Sequence, residues 1–104
     1  MENGVRKCLP LLLAHFQLPK DELQLNEYTL EELEIKLSAI IGYLLNHDLD
    51  RLMSACYKID LSEQIFKDII TKAPPEEINR SLAREIIQRE LQKVVTREKY
   101  RGLS

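Results

Sequence analysis

Glycine is scarce in this chain: Gly4, Gly42 and Gly102 are the only three. No glycine-rich loop that wraps backbone N–H groups around a phosphate can be drawn from them. Cysteine is scarcer, and Cys8 and Cys56 stand far apart without CxxC spacing. A disulfide framework in so short a chain needs more of them, so both read as free thiols in a reducing compartment. The two histidines, His15 and His47, make neither an HxxxH nor an ExxH pattern, so no helical metal-ligand spacing is present. No apolar run approaches the roughly 20 residues that a membrane-spanning helix needs. An excess of positive charge is missing too. Fifteen bases against seventeen acids leave a net charge of −2, which argues against non-specific attraction to nucleic acid or anionic lipid.

What is present is unevenly spread. Residues 20–50 hold eight acids against Lys20 and Lys36. Residues 79–101 hold seven bases against Glu85, Glu90 and Glu98. Two such segments attract each other, within one fold or between two copies. The stretch Leu37–Leu45 carries no charge, in a chain that is 31% charged. A helix that is apolar on every side is buried on every side, so this segment is expected at the centre of a bundle or in a subunit interface.

At 104 residues the chain reads as one domain with a thin core. Residues 1–27 differ from the rest and read as an N-terminal arm. Pro10 suits the first turn of a short helix carrying Leu11, Leu12, Leu13 and Phe16, and Pro19 ends it. Leu23 and Leu25 alternate with polar residues, as in an extended segment. Arg6 and Lys7 ahead of an apolar run resemble a signal peptide. Pro10 interrupts that run and no small-x-small cleavage site follows, so a cytoplasmic protein is expected.

The helical domain is expected over 28–101, with 102–104 as a tail. Thr29 and Glu32 make a capping box, Tyr28 and Leu33 a hydrophobic staple, and Glu31, Glu32 and Glu34 complement the helix dipole. Leu30, Leu33, Leu37, Ile40, Ile41, Leu44 and Leu45 form a stripe of about 140°. Ile35, Ala39 and Gly42 lie on the opposite side, where small residues admit a neighbouring backbone. This is the candidate self-association face. Asp48 caps a second helix with Leu49, Leu52, Met53, Cys56 and Tyr57 on its apolar face. Asp60 or Ser62 starts a third, with Ile65, Phe66, Ile69, Ile70 and Ala73 inward, and Pro74-Pro75 stops it. The last helix begins at Pro75 or Glu76 and runs to about Tyr100, with Gly102 as its stop. From Ala83 its apolar residues cover about 180°, broad for a surface helix. The class is all-α: a small bundle of about four helices plus an apolar arm or short extra helix.

The strings Tyr57-Lys58-Ile59-Asp60-Leu61-Ser62-Glu63 and Ile86-Ile87-Gln88-Arg89-Glu90-Leu91-Gln92-Lys93, with Thr96-Arg97, resemble a group of short, uncharacterised bacterial all-helical proteins. The resemblance spans about residues 40–100. It implies a small bacterial helical protein and, since the group has no assigned activity, implies no site.

Three functions compete. Protein–protein association, self-association into a dimer first, follows from the chargeless helix and the broad last helix. Nucleic-acid binding follows from Arg89, Lys93, Arg97 and Arg101, which recur every four residues as a candidate anion-binding face. Glu85 and Glu90 pair with that line as on an ordinary solvated helix. An enzyme would use His47, Asp48 or Cys56 in a shared pocket. Capping by Asp48, a helix C-terminus for His47 and core packing for Cys56 account for the same residues. No cofactor or metal is expected.

Overall fold

A computed structural model describes the backbone of residues 2–101 and the side chains of 3–99. Among these, five α-helices and one 3-10 turn make up the secondary structure: α1 Glu2–His15, α2 Leu30–His47, α3 Leu49–Ile59, α4 Glu63–Lys72, the turn Pro75–Glu77, and α5 Ile78–Arg101. The expected tail and Gly102 lie outside the described residues.

Of the two forms expected for the N-terminal segment, arm or short extra helix, the structure shows a helix that starts well ahead of Pro10. α1 begins at Glu2 and carries Pro10 in its interior rather than in its first turn. A proline there costs about 3 kcal/mol of helix. Val5, Cys8, Leu12 and Phe16 form one fully buried line that offsets it, while Pro10 turns outward. Gln17, not Pro19, closes the helix. It takes the left-handed conformation (φ 55°), its N–H reaches the Ala14 carbonyl, and Leu18 N–H reaches Leu13 at 2.9 Å. That double closure is a Schellman motif built without glycine. The following residues run without helix or strand and turn Leu23 and Leu25 inward.

The start of α2 follows its sequence signal. Thr29 Oγ1 accepts from Glu32 N–H at 3.1 Å. The Glu32 carboxylate reaches past Thr29, accepting from the N–H groups of Asn26 and Glu27 at 2.8–2.9 Å. These hydrogen bonds hold its pKa below the usual carboxylate range. Asp48 closes α2 with its N–H on Leu44 and opens α3 with its side chain on Arg51 N–H. Asp60 does not start α4. It sits at φ 66° as the left-handed residue after α3, with Leu61 N–H on the Cys56 carbonyl. Ser62 caps α4 instead.

α5 is the spine, against which α1, α2, α3 and α4 all pack. At 24 residues it is about 36 Å long. α2 lies antiparallel along its first half: Glu34 meets Arg80 and Arg84, and Gly42 meets Asn79. α1 lies antiparallel along the second half. His15 pairs with Glu90 and Lys7 with Glu98, so eight residues on one helix match eight on the other. The broad apolar face of α5 is therefore divided between two partners from its own chain. Leu82, Ala83, Ile86, Ile87 and Val94 are buried there, while Val95 remains 65% exposed.

Of the two places expected for α2, bundle centre or interface, the centre does not apply, because only Leu33, Leu37, Ile41 and Leu44 are buried, and Ile35 and Tyr43 are about half or more exposed. Tyr57, placed on the apolar face of α3 by its spacing, is 83% exposed. The α3 core line is instead Leu52, Ala55, Cys56 and Ile59. α4 buries no residue completely, since it touches the spine along one edge.

Candidate functional site

The outer face of α2 has three exposed residues spaced four apart: Ile35, Ala39 and Tyr43. Such spacing puts them on one side of the helix. Gly42 does not join them freely. A Cβ built on Gly42 would stand 2.6 Å from Asn79 Nδ2, so the close approach read from this glycine is made by α5 of the same chain. Tyr43, which the spacing argument passed over, extends the exposed line in its place. Its ring lies 4.5 Å from the His47 ring, tilted by 35°. Its absence of charge was the available signal.

The second candidate face also changes shape. Arg89, Lys93 and Arg97 line a shallow groove on α5 together with Leu91 and Val95. Arg101 lies beyond the described side chains. Lys93 reaches Asp60 at 3.4 Å, and Arg89 donates to Gln92 at 2.7 Å. The antiparallel register brings Arg6 and Lys7 of α1 to a groove that Arg97 and Glu98 also line. Two bases from the far end of the sequence thus join the basic half of α5. Arg80 and Arg84, near the start of α5, are committed to Glu34, each at 2.9 Å. Burial opposes ionisation of Glu34, but the hydrogen bonds from Arg84 and Arg80 outweigh it and hold its pKa down. The acidic and basic segments thus meet inside one fold at this point.

The third set is dispersed in role. Cys56 is buried and its thiol is pushed up to about 11 by that burial. His47 is exposed against Tyr43, and Asp48 caps α3. Cys8 is pushed to about 12, by burial first and by the nearby Glu90 charge second. Neither thiol is a ready nucleophile, since the thiolate is the reactive form. No group of three or more His, Cys, Asp or Glu residues among those described is arranged to hold a metal ion.

A buried pair escaped the sequence reading. Glu90 is fully buried, and one carboxylate oxygen lies 2.9 Å from His15 Nδ1. The other oxygen has no hydrogen-bond partner. Burial raises the Glu90 pKa, while His15 and, more weakly, Lys93 and Arg97 pull it back. Sequence spacing gives Glu90 a surface ion pair with Lys93, but it lies on the buried line of α5, between Ile87 and Val94. A glutamate at a core-line position was the signal.

The fold and these faces define an all-α protein of five described helices around a C-terminal spine. No described helix is long and apolar enough to cross a membrane. No family model, curated protein or solved structure matches the chain.

Proposed function

We propose that this chain acts by associating with protein, a second copy of itself first, through the outer face of α2. The observation that carries this reading is the line Ile35, Ala39, Tyr43, which the core leaves uncovered on a helix without charge from Leu37 to Leu45. Two antiparallel copies of one face are self-complementary. They also bring the acidic first turn, Glu31 and Glu32, toward the partner's last turn at His47, with opposed helix dipoles. A stable dimer buries roughly 1,200 Å² or more. The contact therefore runs the length of α2 and takes in Leu49, 49% exposed at the start of α3. On this reading the protein is a cytoplasmic binding protein with no catalytic step. Sedimentation from low to high micromolar concentration tests it. The wild-type chain is expected to reach twice its monomer mass, and Ala39→Arg to stay monomeric with unchanged helicity. A monomeric wild type at high micromolar concentration defeats the reading.

A second reading, nucleic-acid binding, draws on Arg6 and Lys7 standing by the Arg97 end of α5. It requires affinity that falls steeply with salt. A mobility-shift assay at low salt that shows no retarded DNA or RNA removes it.

A further inference from the structure

α1 is joined to α2 by a non-helical return over residues 16–29, with left-handed residues at Gln17 and Tyr28. It can therefore leave its seat without breaking another helix. Pro10 in its interior weakens it as a helix in its own right. What holds it is the buried line Val5, Cys8, Leu12 and Phe16, on a helix that packs chiefly against α5. Glu90 stands in that seam with no exposure to solvent. One of its oxygens lies 2.9 Å from His15 Nδ1, and the other is buried and meets no donor. The Cys8 thiol, pushed up by burial first, also feels the Glu90 charge. From α5 itself Lys93 and Arg97 act on the carboxylate less than His15 does. Lys93 is shared with Asp60, just after α3, at 3.4 Å. The α2 carboxylate Glu34 meets Arg80 and Arg84, further toward the start of α5.

We propose that Glu90 is a pH-sensitive latch, which keeps α1 docked on α5 while its carboxyl is protonated and lets α1 open once it is ionised. An ionised carboxylate accepts hydrogen bonds on both oxygens, and a buried one left short of donors is costly. Val5, Leu12 and Phe16 have no side-chain donor to offer, and the thiol of Cys8 is a weak one. Undocking α1 returns the orphaned oxygen to water and exposes the apolar line of one helix, not the whole core. Local openings of this kind take less free energy than global unfolding. The direction follows from the seat of the group. Burial raises the Glu90 pKa, so the docked form binds the proton more tightly and docking weakens as pH rises. An apolar residue at this position would hold α1 equally at every pH. The outer face of α2 takes no part in the latch, so the sedimentation result for self-association leaves this proposal untouched.

Amide hydrogen exchange of the ¹⁵N-labelled chain, read as protection factors between pH 5 and pH 8, tests the latch. Protection at Cys8 and Leu12 of α1 is expected to fall as pH rises, by up to about tenfold per pH unit, the limit for release of one proton. Protection at Leu37 and Ile41 of α2 is expected to hold. In Glu90→Gln, which cannot ionise, protection at Cys8 and Leu12 is expected to stay level across the same range. A parallel fall in α1 and α2 overturns the latch, because the whole fold then opens together. Level protection at Cys8 and Leu12 in the wild type overturns it too. A fall that survives in Glu90→Gln assigns the pH dependence to another group and overturns the role of Glu90.

Discussion

His15 Nδ1 stands 2.9 Å from an oxygen of Glu90, a carboxylate with no exposure to solvent, and this contact joins the last turn of α1 to the middle of α5. The His15 side chain is 20% exposed, so the histidine connects the buried acid to water. Because burial raises the Glu90 pKa above its ordinary 4.5, the folded state binds a proton more tightly than the unfolded chain does. The linked stability is fully present below pH 4.5 and is lost as pH rises through the raised folded value.

Glu90→Gln removes that loss. The variant is expected to be more stable than wild type at pH 7–8, because glutamine resembles the protonated acid and puts no charge into the buried site. The gain is expected to shrink toward zero below pH 4.5. His15→Ala strands the carboxylate and is expected to cost about 2 kcal/mol at neutral pH. Urea unfolding midpoints of the three proteins between pH 4 and pH 8 measure both effects. A Glu90→Gln variant less stable than wild type at pH 8 contradicts this account of the pair.

Gln17 closes α1 at φ 55°, a conformation that costs a side-chain-bearing residue about 1–2 kcal/mol and glycine almost nothing. Gln17 is exposed, so its side chain contributes little packing. Gln17→Gly is expected to stabilise the fold by about 0.5–1 kcal/mol, the unfolded-state entropy of glycine trimming the gain. Thermal unfolding followed by circular dichroism reads this directly. A lower melting temperature means that the Schellman closure contributes less than the geometry implies.

Much of the helical fold was legible where a signal is local. Thr29, Asp48 and Ser62 cap the helices that their chemistry announces, because a cap depends on three or four neighbouring residues. The early start of α1 is not legible because one proline outweighs, in the pattern, a buried line that only α5 completes. The absence of charge leaves α2 two places, the centre of the bundle or a subunit interface, because composition does not record the number of neighbours. Which helix is surrounded depends on chain-distant packing, and the α1–α5 register that pairs Lys7 with Glu98 has no local trace. Of the candidate faces, Ile35 and Ala39 were found by spacing. Gly42 was assigned to a subunit contact because spacing cannot tell a neighbour in the same chain from one in another.

Both thiols are expected to be slow toward thiol reagents in the native state. Cys8 and Cys56 are buried, with pKa values pushed to about 12 and about 11, so almost no thiolate exists at pH 8. Modification then waits on opening of the fold. The rate of reaction with a disulfide reagent is expected to rise with denaturant in step with unfolding. Rapid labelling of either cysteine in buffer alone would show that the α1–α5 or α3 packing opens locally.

Gly42 offers a direct measure of how tightly α2 meets the spine. An alanine there gains up to about 1 kcal/mol of helix propensity. Its Cβ also meets the Asn79 amide nitrogen at 2.6 Å, which must move. The amide is the end of a rotatable side chain, so the two effects are expected to cancel within about 0.5 kcal/mol. Gly42→Leu brings three further carbons to the same place, and overpacking of that kind costs about 1–3 kcal/mol. Replacing Asn79 with alanine clears the space. In that background Gly42→Ala is expected to become stabilising and Gly42→Leu to recover most of its loss. A double-mutant cycle on unfolding free energy reads the coupling. Strict additivity would mean that Gly42 and Asn79 do not touch, and that the glycine face is open to a second subunit after all.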